Sequence, residues 1–221
     1  MSASSTTQEG TTRRKSGRPA GASAVATRRR ILAAALKLFG QWGYDATRIK
    51  DVALKAGVNA ALVHHYFGDK DDLYQAVLAD ALKPLKVLGQ KLLLKGLPTE
   101  MLLAAWVEVL SSYFHRHRDV LWLVTRECMG NARRIRGTVV EALGPIFQAT
   151  VDALREDRKD TNPDVDAAYL VVNTLGMVAV WHTHGTLVEQ VLGHEVSSEK
   201  QRARQVEQIM ALVQHGALRK S

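Results

Sequence analysis

The side chains of this sequence best suited to specific chemistry are a group of amide, imidazole and phenol groups. Asn59, His64, His65 and Tyr66 fall within one short stretch that follows Gly57. On a short helix, side chains of these types can hydrogen-bond the edges of DNA bases in the major groove, and the alanines between them offer methyl contacts to thymine. The spacing predicts a recognition surface formed by Asn59, Ala60, Ala61, His64, His65 and Tyr66.

The excess positive charge of the chain lies at its N-terminal end. The net charge is +8, and residues 1–50 alone contain ten Lys and Arg side chains against two acidic ones. The rest of the chain is therefore neutral overall. A single basic end is expected of a protein that meets a polyanion. Nucleic acid is the favoured polyanion, and an anionic membrane surface is the alternative.

A Gly-Arg-Pro unit with basic neighbours lies inside residues 1–22, a segment with almost no apolar side chains. Such a segment buries too little surface to offset the entropy of ordering, so we expect a disordered basic tail. The unit is similar to an AT-hook, which lies in a narrow A·T minor groove. We predict DNA contacts from Arg14, Lys15 and Arg18, and a solvated basic tail is the alternative.

Catalytic and metal-binding motifs are missing from the sequence. It contains no nucleophile elbow, no Walker-type glycine loop and no HExxH motif. His64 and His65 would point about 100° apart on a helix, which does not favour a shared metal ion. We therefore predict no catalytic residues, no metal and no cofactor.

Targeting signals are also missing. The N-terminal residues have no apolar signal-peptide core, and the apolar stretch from Ala167 to Trp181 is shorter than the roughly 20 residues that span a bilayer. The single cysteine, Cys128, cannot form a disulfide within the chain. We predict a cytoplasmic, nucleoid-associated protein without membrane contact.

The elements that must position these residues are helices, because apolar residues recur at helical spacing and no strand pattern is present. Thr47, Asn59 and Asp69 are predicted to cap the second, third and fourth helices, and Gly57 to end the second. Pro84 is expected to kink or split the fourth helix. The pattern predicts an all-α protein of about nine helices, at 27–42, 47–56, 59–66, 70–94, 99–115, 120–129, 139–154, 164–182 and 199–217.

A series of short motifs lies in order between residues 27 and 75. These motifs are Trp42-Gly43-Tyr44, Thr47, Ala56-Gly57-Val58, Tyr66-Phe67, Lys70 and Leu73. In this order they resemble the N-terminal DNA-binding domain of TetR-family regulators. The resemblance implies phosphate contacts at Thr47 and Lys70, and Arg48 is added beside them. The sequence departs from the usual family pattern at Ala60 and at the pair His64–His65.

The resemblance implies a sequence-specific regulator, a repressor that binds operator DNA as a homodimer and is released by a small-molecule ligand. It implies a three-helix helix-turn-helix domain at residues 23–70 and a helical ligand-sensing and dimerisation domain at 71–221. The alternative is an architectural DNA-binding protein that senses no ligand and has little sequence preference.

The C-terminal two thirds matches the family only in length and helical character, so its sites are predicted from residue type. Large aromatic and polar side chains are predicted to line a ligand cavity: Trp106, Tyr113, Trp122, Met129, Phe147, Trp181 and His182. Apolar side chains of the last two predicted helices are predicted to form the dimer interface: Leu170, Val171, Leu175, Val178, Ile209, Met210 and Val213.

Overall fold

The fold is all-α, as predicted. The computed structural model describes residues 20–130, 133–156 and 162–217, and this part of the chain contains ten helices and no strand. The helices are α1 (Ala20–Ala46), α2 (Ile49–Ala56), α3 (Ala60–Phe67), α4 (Lys70–Leu93), α5 (Thr99–Arg116), α6 (Arg118–Met129), α7 (Arg133–Glu156), α8 (Ala167–Thr183), α9 (Gly185–Leu192) and α10 (Glu199–Ala217). The DNA contacts predicted for Arg14, Lys15 and Arg18 lie outside the described residues.

Three helices differ most from the prediction, and one of them, α7, begins at Arg133 rather than at its predicted start, residue 139. α1 begins at Ala20, within the segment predicted as a tail, because its first residues are rich in alanine, the strongest helix former. α9 was not predicted, since it has only eight residues and its N-cap, His184, makes no side-chain capping hydrogen bond. The count is therefore ten in the described residues rather than about nine.

Helices α1 to α3 pack around one apolar core to which the start of α4 also contributes. Ile31, Ala35 and Phe39 of α1 are fully buried in it. α2 ends at Gly57, whose backbone is left-handed at φ 64°, as the sequence predicts. A side chain with a Cβ is strained in that conformation, so glycine permits the tight turn from α2 into α3.

The capping predictions are confirmed for α3 and α4 and wrong for α2. Asn59 Oδ1 accepts a hydrogen bond from the Leu62 amide at 2.7 Å, and Asp69 forms a reciprocal capping box with Asp72. Arg48, rather than Thr47, occupies the N-cap position of α2. The reason is that Thr47 is turned inward, where its hydroxyl donates to the carbonyl oxygen of Gly43 at 2.8 Å.

Helix α4 connects the two cores of the molecule. Its first half places Leu73 and Leu78 in the N-terminal core, and its second half places Leu82 and Leu85 in the core formed with α5, α6, α7, α8 and α10. Pro84 lies inside α4 without splitting it. α4 is therefore the helix that contributes side chains to both cores from its two halves.

Candidate functional site

Helix α3 presents one exposed face and is anchored by the other. Val63 and Phe67 are buried in the N-terminal core, whereas Ala61, His64 and His65 are exposed at positions i, i+3 and i+4. This spacing places the three exposed side chains on one stripe of the helix. A short, firmly anchored helix with such a stripe is the arrangement that helix-turn-helix proteins place in the major groove.

Hydrogen bonds within α3 fix which polar groups remain available on this stripe. Asn59 Oδ1 accepts from the Leu62 amide, so the free group of Asn59 is its Nδ2 donor. His64 Nδ1 lies 2.7 Å from the carbonyl oxygen of Gly68. A carbonyl can only accept, so Nδ1 carries the proton, and Nε2 of the neutral ring is an acceptor. The surface therefore offers one donor and one acceptor of defined position.

The remaining predicted recognition residues differ in exposure. Ala60 and Tyr66 are half-buried, and the ring of Tyr66 meets the ring of His65 edge-on at a centroid distance of 5.6 Å. Arg48 is exposed at the start of α2. Thr47 is completely buried, and its hydroxyl donates to the carbonyl oxygen of Gly43 inside the domain. The phosphate contact expected at Thr47 stays a prediction, and its side-chain hydroxyl is already used within the domain.

Lys70 is held in place at the first residue of α4. Its Nζ lies 4.2 Å from the centroid of the Tyr44 ring and donates to the carbonyl oxygen of Asp45 at 3.3 Å. Asp71 and Asp72 occupy the same first turn of α4. Their negative charges oppose the attraction of this helix end for a phosphate, so any such attraction comes from the lysine.

Two arginines of α1 also lie close to the recognition unit. The guanidinium of Arg28 lies 5.0 Å from the centroid of the Phe67 ring at the end of α3. The guanidinium of Arg30 approaches Gly57 in the turn that precedes α3. In the sequence, both belong only to the basic end. Their run Arg28–Arg30 is visible there, but only the fold shows that Arg28 contacts Phe67 of α3.

Arg134, at the start of α7, joins the C-terminal helices to the DNA-binding helices. Its guanidinium lies 3.8 Å from the centroid of the Tyr44 ring. It also lies within 3.9 Å of carboxylate oxygens of Asp45, Asp71 and Glu127. No sequence signal identifies this residue, because its partners come from three other parts of the chain.

An apolar cavity lies between α5, α7 and α8 and has a volume of about 20 Å³, which is room for about one water molecule. Trp106 and Phe147, two of the predicted ligand residues, line it, and their rings are near-parallel with centroids 6.4 Å apart. The hydroxyls of Thr150 and Thr174 bond carbonyl oxygens of their own helices. Trp106 Nε1 is buried and has no hydrogen-bond partner among the described residues.

The other predicted ligand residues do not join this cavity. Tyr113 lines a groove between α1, α4 and α5, and Trp181 and His182 line a separate polar cavity beside α9. Trp122 and Met129 are exposed on α6, with Met129 83% exposed. These last two do not fit the predicted buried cavity, because the apolar face of α6 points toward α1 and the core instead.

The seven predicted dimer residues are buried or half-buried within the protomer, and their role in a dimer stays a prediction. Val178, Ile209, Met210 and Val213 are buried inside the protomer, because α8 and α10 pack against α5 with these side chains between them. Leu170, Val171 and Leu175 are half-buried against the same core. The exposed apolar side chains of these helices are instead Tyr169, Val172, Val180 and Leu212.

The described residues contain no group of three or more His, Cys, Asp or Glu side chains that could hold a metal ion. Across residues 20–130, 133–156 and 162–217, no helix is both long and apolar enough to cross a membrane.

Sequence comparisons identify relatives of the N-terminal region. Residues 31–77 match the family described as bacterial regulatory proteins of the tetR family. The HTH-type transcriptional repressor NicS of Pseudomonas putida is 30% identical over 132 residues, which are 56% of this chain and 62% of NicS. The match thus spans less than two thirds of NicS. The HTH-type transcriptional regulator HbdR of Aromatoleum sp. is 44% identical over 55 residues, which are 25% of this chain and 24% of HbdR.

Structural comparisons extend the likeness to most of the chain. The ketosteroid transcriptional regulator KstR2 of Mycobacterium tuberculosis has a TM-score of 0.71 at 17% identity, covering 87% of this chain and 95% of KstR2. FadR of Bacillus subtilis, solved with stearoyl-CoA, has a TM-score of 0.68 at 15% identity, covering 85% of this chain and 98% of FadR. At these identities the likeness establishes the fold.

The α2–α3 unit and the exposed stripe of α3 define a helix-turn-helix unit at the N-terminal end of an all-α fold. Residues 31–77, which contain this unit, match the tetR family of bacterial regulatory proteins, as the N-terminal motifs suggested.

Proposed function

We propose that this protein is a transcriptional repressor that binds a specific operator as a homodimer and leaves it when a small molecule occupies its C-terminal domain. The single observation that carries the DNA-binding part is the anchored helix α3, with Ala61, His64 and His65 on one exposed stripe. Lys70, Arg48 and the α1 arginines supply positive charge around that stripe, suited to phosphates on either side of the groove. The division of the chain at residues 23–70 and 71–221 is part of this proposal.

The dimer is proposed to form through the exposed apolar stripe of α8. Tyr169, Val172, Gly176 and Val180 follow one another at helical spacing, and all are exposed in the protomer. Leu212 adds a large exposed apolar side chain on α10. A second copy of the chain is the occupant that best fits a self-complementary stripe, because a twofold axis brings the same patch of both protomers together. Such a dimer presents two copies of α3 to a pseudo-palindromic site.

The ligand is proposed to enter the apolar cavity between α5, α7 and α8. The threonine hydroxyls at that cavity are satisfied within their helices, so the free polar group is the Trp106 Nε1 donor. We therefore infer an apolar effector with one hydrogen-bond acceptor, such as a carbonyl oxygen, facing Trp106. FadR was solved with stearoyl-CoA, and KstR2 is named for ketosteroids. Stearoyl-CoA and ketosteroids both contain large apolar groups.

The route from this cavity to DNA runs through α4. A Cβ at Gly89 of α4 would lie 2.7 Å from both the Trp106 ring and the Ile146 side chain, so α4 already touches the cavity wall. A ligand that displaces Trp106 must therefore displace the second half of α4. Pro84 lies between the two halves and lacks an amide donor, which favours bending at this place. Such a switch acts only through a difference in the ligand's affinity for the two states.

We assign no catalytic activity, and we propose that the protein acts in the cytoplasm on chromosomal DNA. The relatives named above are transcriptional regulators. A non-sensing architectural role is the competing function. It would use the same basic surface without base-specific contacts, so its affinity would depend on salt and little on sequence.

Selection of bound duplexes from a random pool at near-physiological salt tests the proposal. A specific repressor is expected to recover one twofold-symmetric motif, favoured over random DNA by about 4 to 10 kcal/mol. The His65→Ala variant should relax preference at one position of each half-site, and Lys70→Ala should weaken binding to all sequences alike. Recovery of unselected or merely A·T-rich DNA by the wild-type protein would favour the architectural role instead.

A further inference from the structure

A second cavity, polar and distinct from the one at Trp106, lies where the start of α6 meets the end of α8 and the start of α9. Its volume is about 70 Å³. It is lined by Arg118, Trp181, His182, Gly185, Thr186, Glu189, Val196 and Ser197.

His182 is the residue of this cavity whose ring most needs a hydrogen-bond partner from a ligand. The residue is only 6% exposed, and its Nε2 has no hydrogen-bond partner among the described residues. A buried ring nitrogen left unpaired costs about 1 to 3 kcal/mol, and most buried polar groups in native proteins are paired. The mainly desolvating environment also lowers the pKa of His182 to about 4, so its ring is neutral near pH 7 and can donate from one nitrogen.

Arg118 and Glu189 are the charged side chains among the described residues that line this cavity. Arg118 has no acidic partner within ion-pair distance in the residues that the structure describes. Arg202, whose charge also acts on His182, is already paired with Glu108 at 2.8 Å and with Glu199 at 2.6 Å. The arginine left to attract an anion is therefore Arg118.

The first turn of α9 adds to the same attraction. Gly185 and Thr186 belong to that turn, and the N-cap residue His184 provides no side-chain acceptor for its amides. Uncapped amides and the positive end of the helix dipole favour an anion at this place. Together with the unpaired His182 and the free Arg118, the cavity has three separate groups suited to one acceptor-rich ligand.

Glu189 is the only acidic side chain among the described residues that line the cavity, and it limits the charge of that ligand. Glu189 Oε1 accepts the amide hydrogen of Val196 at 3.0 Å, and Trp181 Nε1 donates to the carbonyl oxygen of the same residue at 3.4 Å. These two bonds hold the loop before α10 over the cavity. The negative charge of Glu189 disfavours a dianion such as phosphate, and the Trp181 ring and Val196 side chain offer an apolar wall.

We propose that this cavity binds a small organic monocarboxylate. The carboxylate pairs with Arg118 and the first turn of α9 and accepts a hydrogen bond from His182, and its apolar end lies against Trp181 and Val196. This site is independent of the effector cavity at Trp106. Its occupancy can be measured on the free protein, so a failure of this proposal is distinguishable from a failure of operator binding.

Titration of the full-length protein with sodium propionate, followed by the Trp181 indole N–H signal in nitrogen-15 NMR spectra, tests the site. Trp181→Phe assigns the signal. Propionate should shift it saturably, and the neutral isostere propionamide should not. Arg118→Gln should weaken propionate binding about tenfold or more, as expected for loss of a charge-assisted hydrogen bond. Arg116→Gln is the matched control, since this exposed arginine two residues earlier does not line the cavity, and it should bind as wild type.

Several outcomes would overturn the site. One is a lack of saturable shift with acetate, propionate or benzoate up to about 50 mM, a concentration well above a millimolar dissociation constant. Others are equal binding by Arg118→Gln, equal shifts with propionamide, and a weak non-saturating response that indicates an adventitious ion only. Tighter binding of inorganic phosphate than of propionate would contradict the monocarboxylate class.

His182→Phe, which removes Nε2, should also weaken propionate binding about tenfold.

Discussion

At the scale of single residues, the recognition helix has polar groups whose hydrogen-bonding sense is set by its own backbone. The side-chain oxygen of Asn59 accepts a hydrogen bond from the Leu62 amide, and Nδ1 of His64 donates one to the carbonyl oxygen of Gly68. What remains is a donor at Asn59 and an acceptor at His64. Alanines at positions 60 and 61 leave these groups with a large share of the hydrogen-bonded readout.

The acceptor at His64 predicts contact with a base amino group. Once the operator is known, the contacted position is the one whose preference relaxes in His64→Ala. Where that base is adenine, replacing it by purine, which lacks the amino group, should weaken wild-type binding about fivefold to tenfold near pH 8 and leave His64→Ala unchanged.

The control for this prediction is the 7-deaza analogue of the same base, which removes a ring acceptor and keeps the amino group. It should bind wild type normally. If the 7-deaza change is the costly one, His64 donates to the base, and the inferred ring tautomer is wrong.

Burial of His182 predicts a loss of stability in acid. Desolvation, with charges at His115, Arg118 and Arg202, lowers its pKa from 6.5 to about 4. Below pH 6.5 this histidine binds a proton in the unfolded chain but not in the folded chain. The free energy of unfolding therefore falls as the pH drops from 6.5 towards 4. Between about pH 7.5 and pH 5, wild type should lose about 2 kcal/mol more of its free energy of unfolding than His182→Phe.

Urea unfolding of both proteins at the two pH values measures that difference. Equal losses in wild type and His182→Phe would show that other groups cause the acid sensitivity.

At the scale of elements, α4 belongs to both cores and touches the wall of the effector cavity at Gly89. Trp106 and Ile146 approach Gly89 so closely that no Cβ fits without a shift. Both side chains are buried, so they have little room to retreat.

Gly89→Ala is therefore expected to destabilise the protein by about 1 to 3 kcal/mol through overpacking. Urea unfolding measures it against Gly137→Ala in α7, where an added Cβ meets nothing within 4 Å. That control should be neutral or gain about 0.5 to 1 kcal/mol, as expected for alanine in a helix interior. If Gly89→Ala behaves like its control, α4 does not rest on the cavity wall as described.

At the scale of the whole molecule, four of the seven predicted dimer residues are buried inside the protomer, and other side chains of α8 and α10 are exposed. The exposed stripe at Tyr169, Val172, Gly176 and Val180 is the surface left for a partner. A charged side chain in its centre would be buried by dimerisation without a partner charge.

Val172→Glu is expected to turn a dimer into a monomer of about 24.4 kDa, measured by light scattering after gel filtration. It should also bind one half-site rather than two. Val140→Glu on α7 is the matched control, because Val140 is 58% exposed and Val172 is 63% exposed. A Val172→Glu protein that remains dimeric would place the interface elsewhere.

Much of the N-terminal domain could be predicted from the sequence, because its determinants are local. The turn at Gly57 and the caps at Asn59 and Asp69 act within a few residues of where they stand. The apolar periodicity of α1 likewise reports which face is buried. Thr47 is the exception. Its type fitted a cap, but its burial depends on how the end of α1 bends at Gly43, which is a matter of packing.

The sequence by itself determined the helical class, the recognition helix and the basic end, since each is encoded in contiguous residues. Only the tertiary structure decided which face of α8 is buried, because α8 is apolar nearly all round and its pattern does not distinguish the core from a partner. The ion pairs of Arg134 and the separation of Trp106 from His182 into two cavities were also decided there. The residues that form these ion pairs and cavities are far apart in the chain, and side-chain spacing along one helix carries no information about contacts between helices.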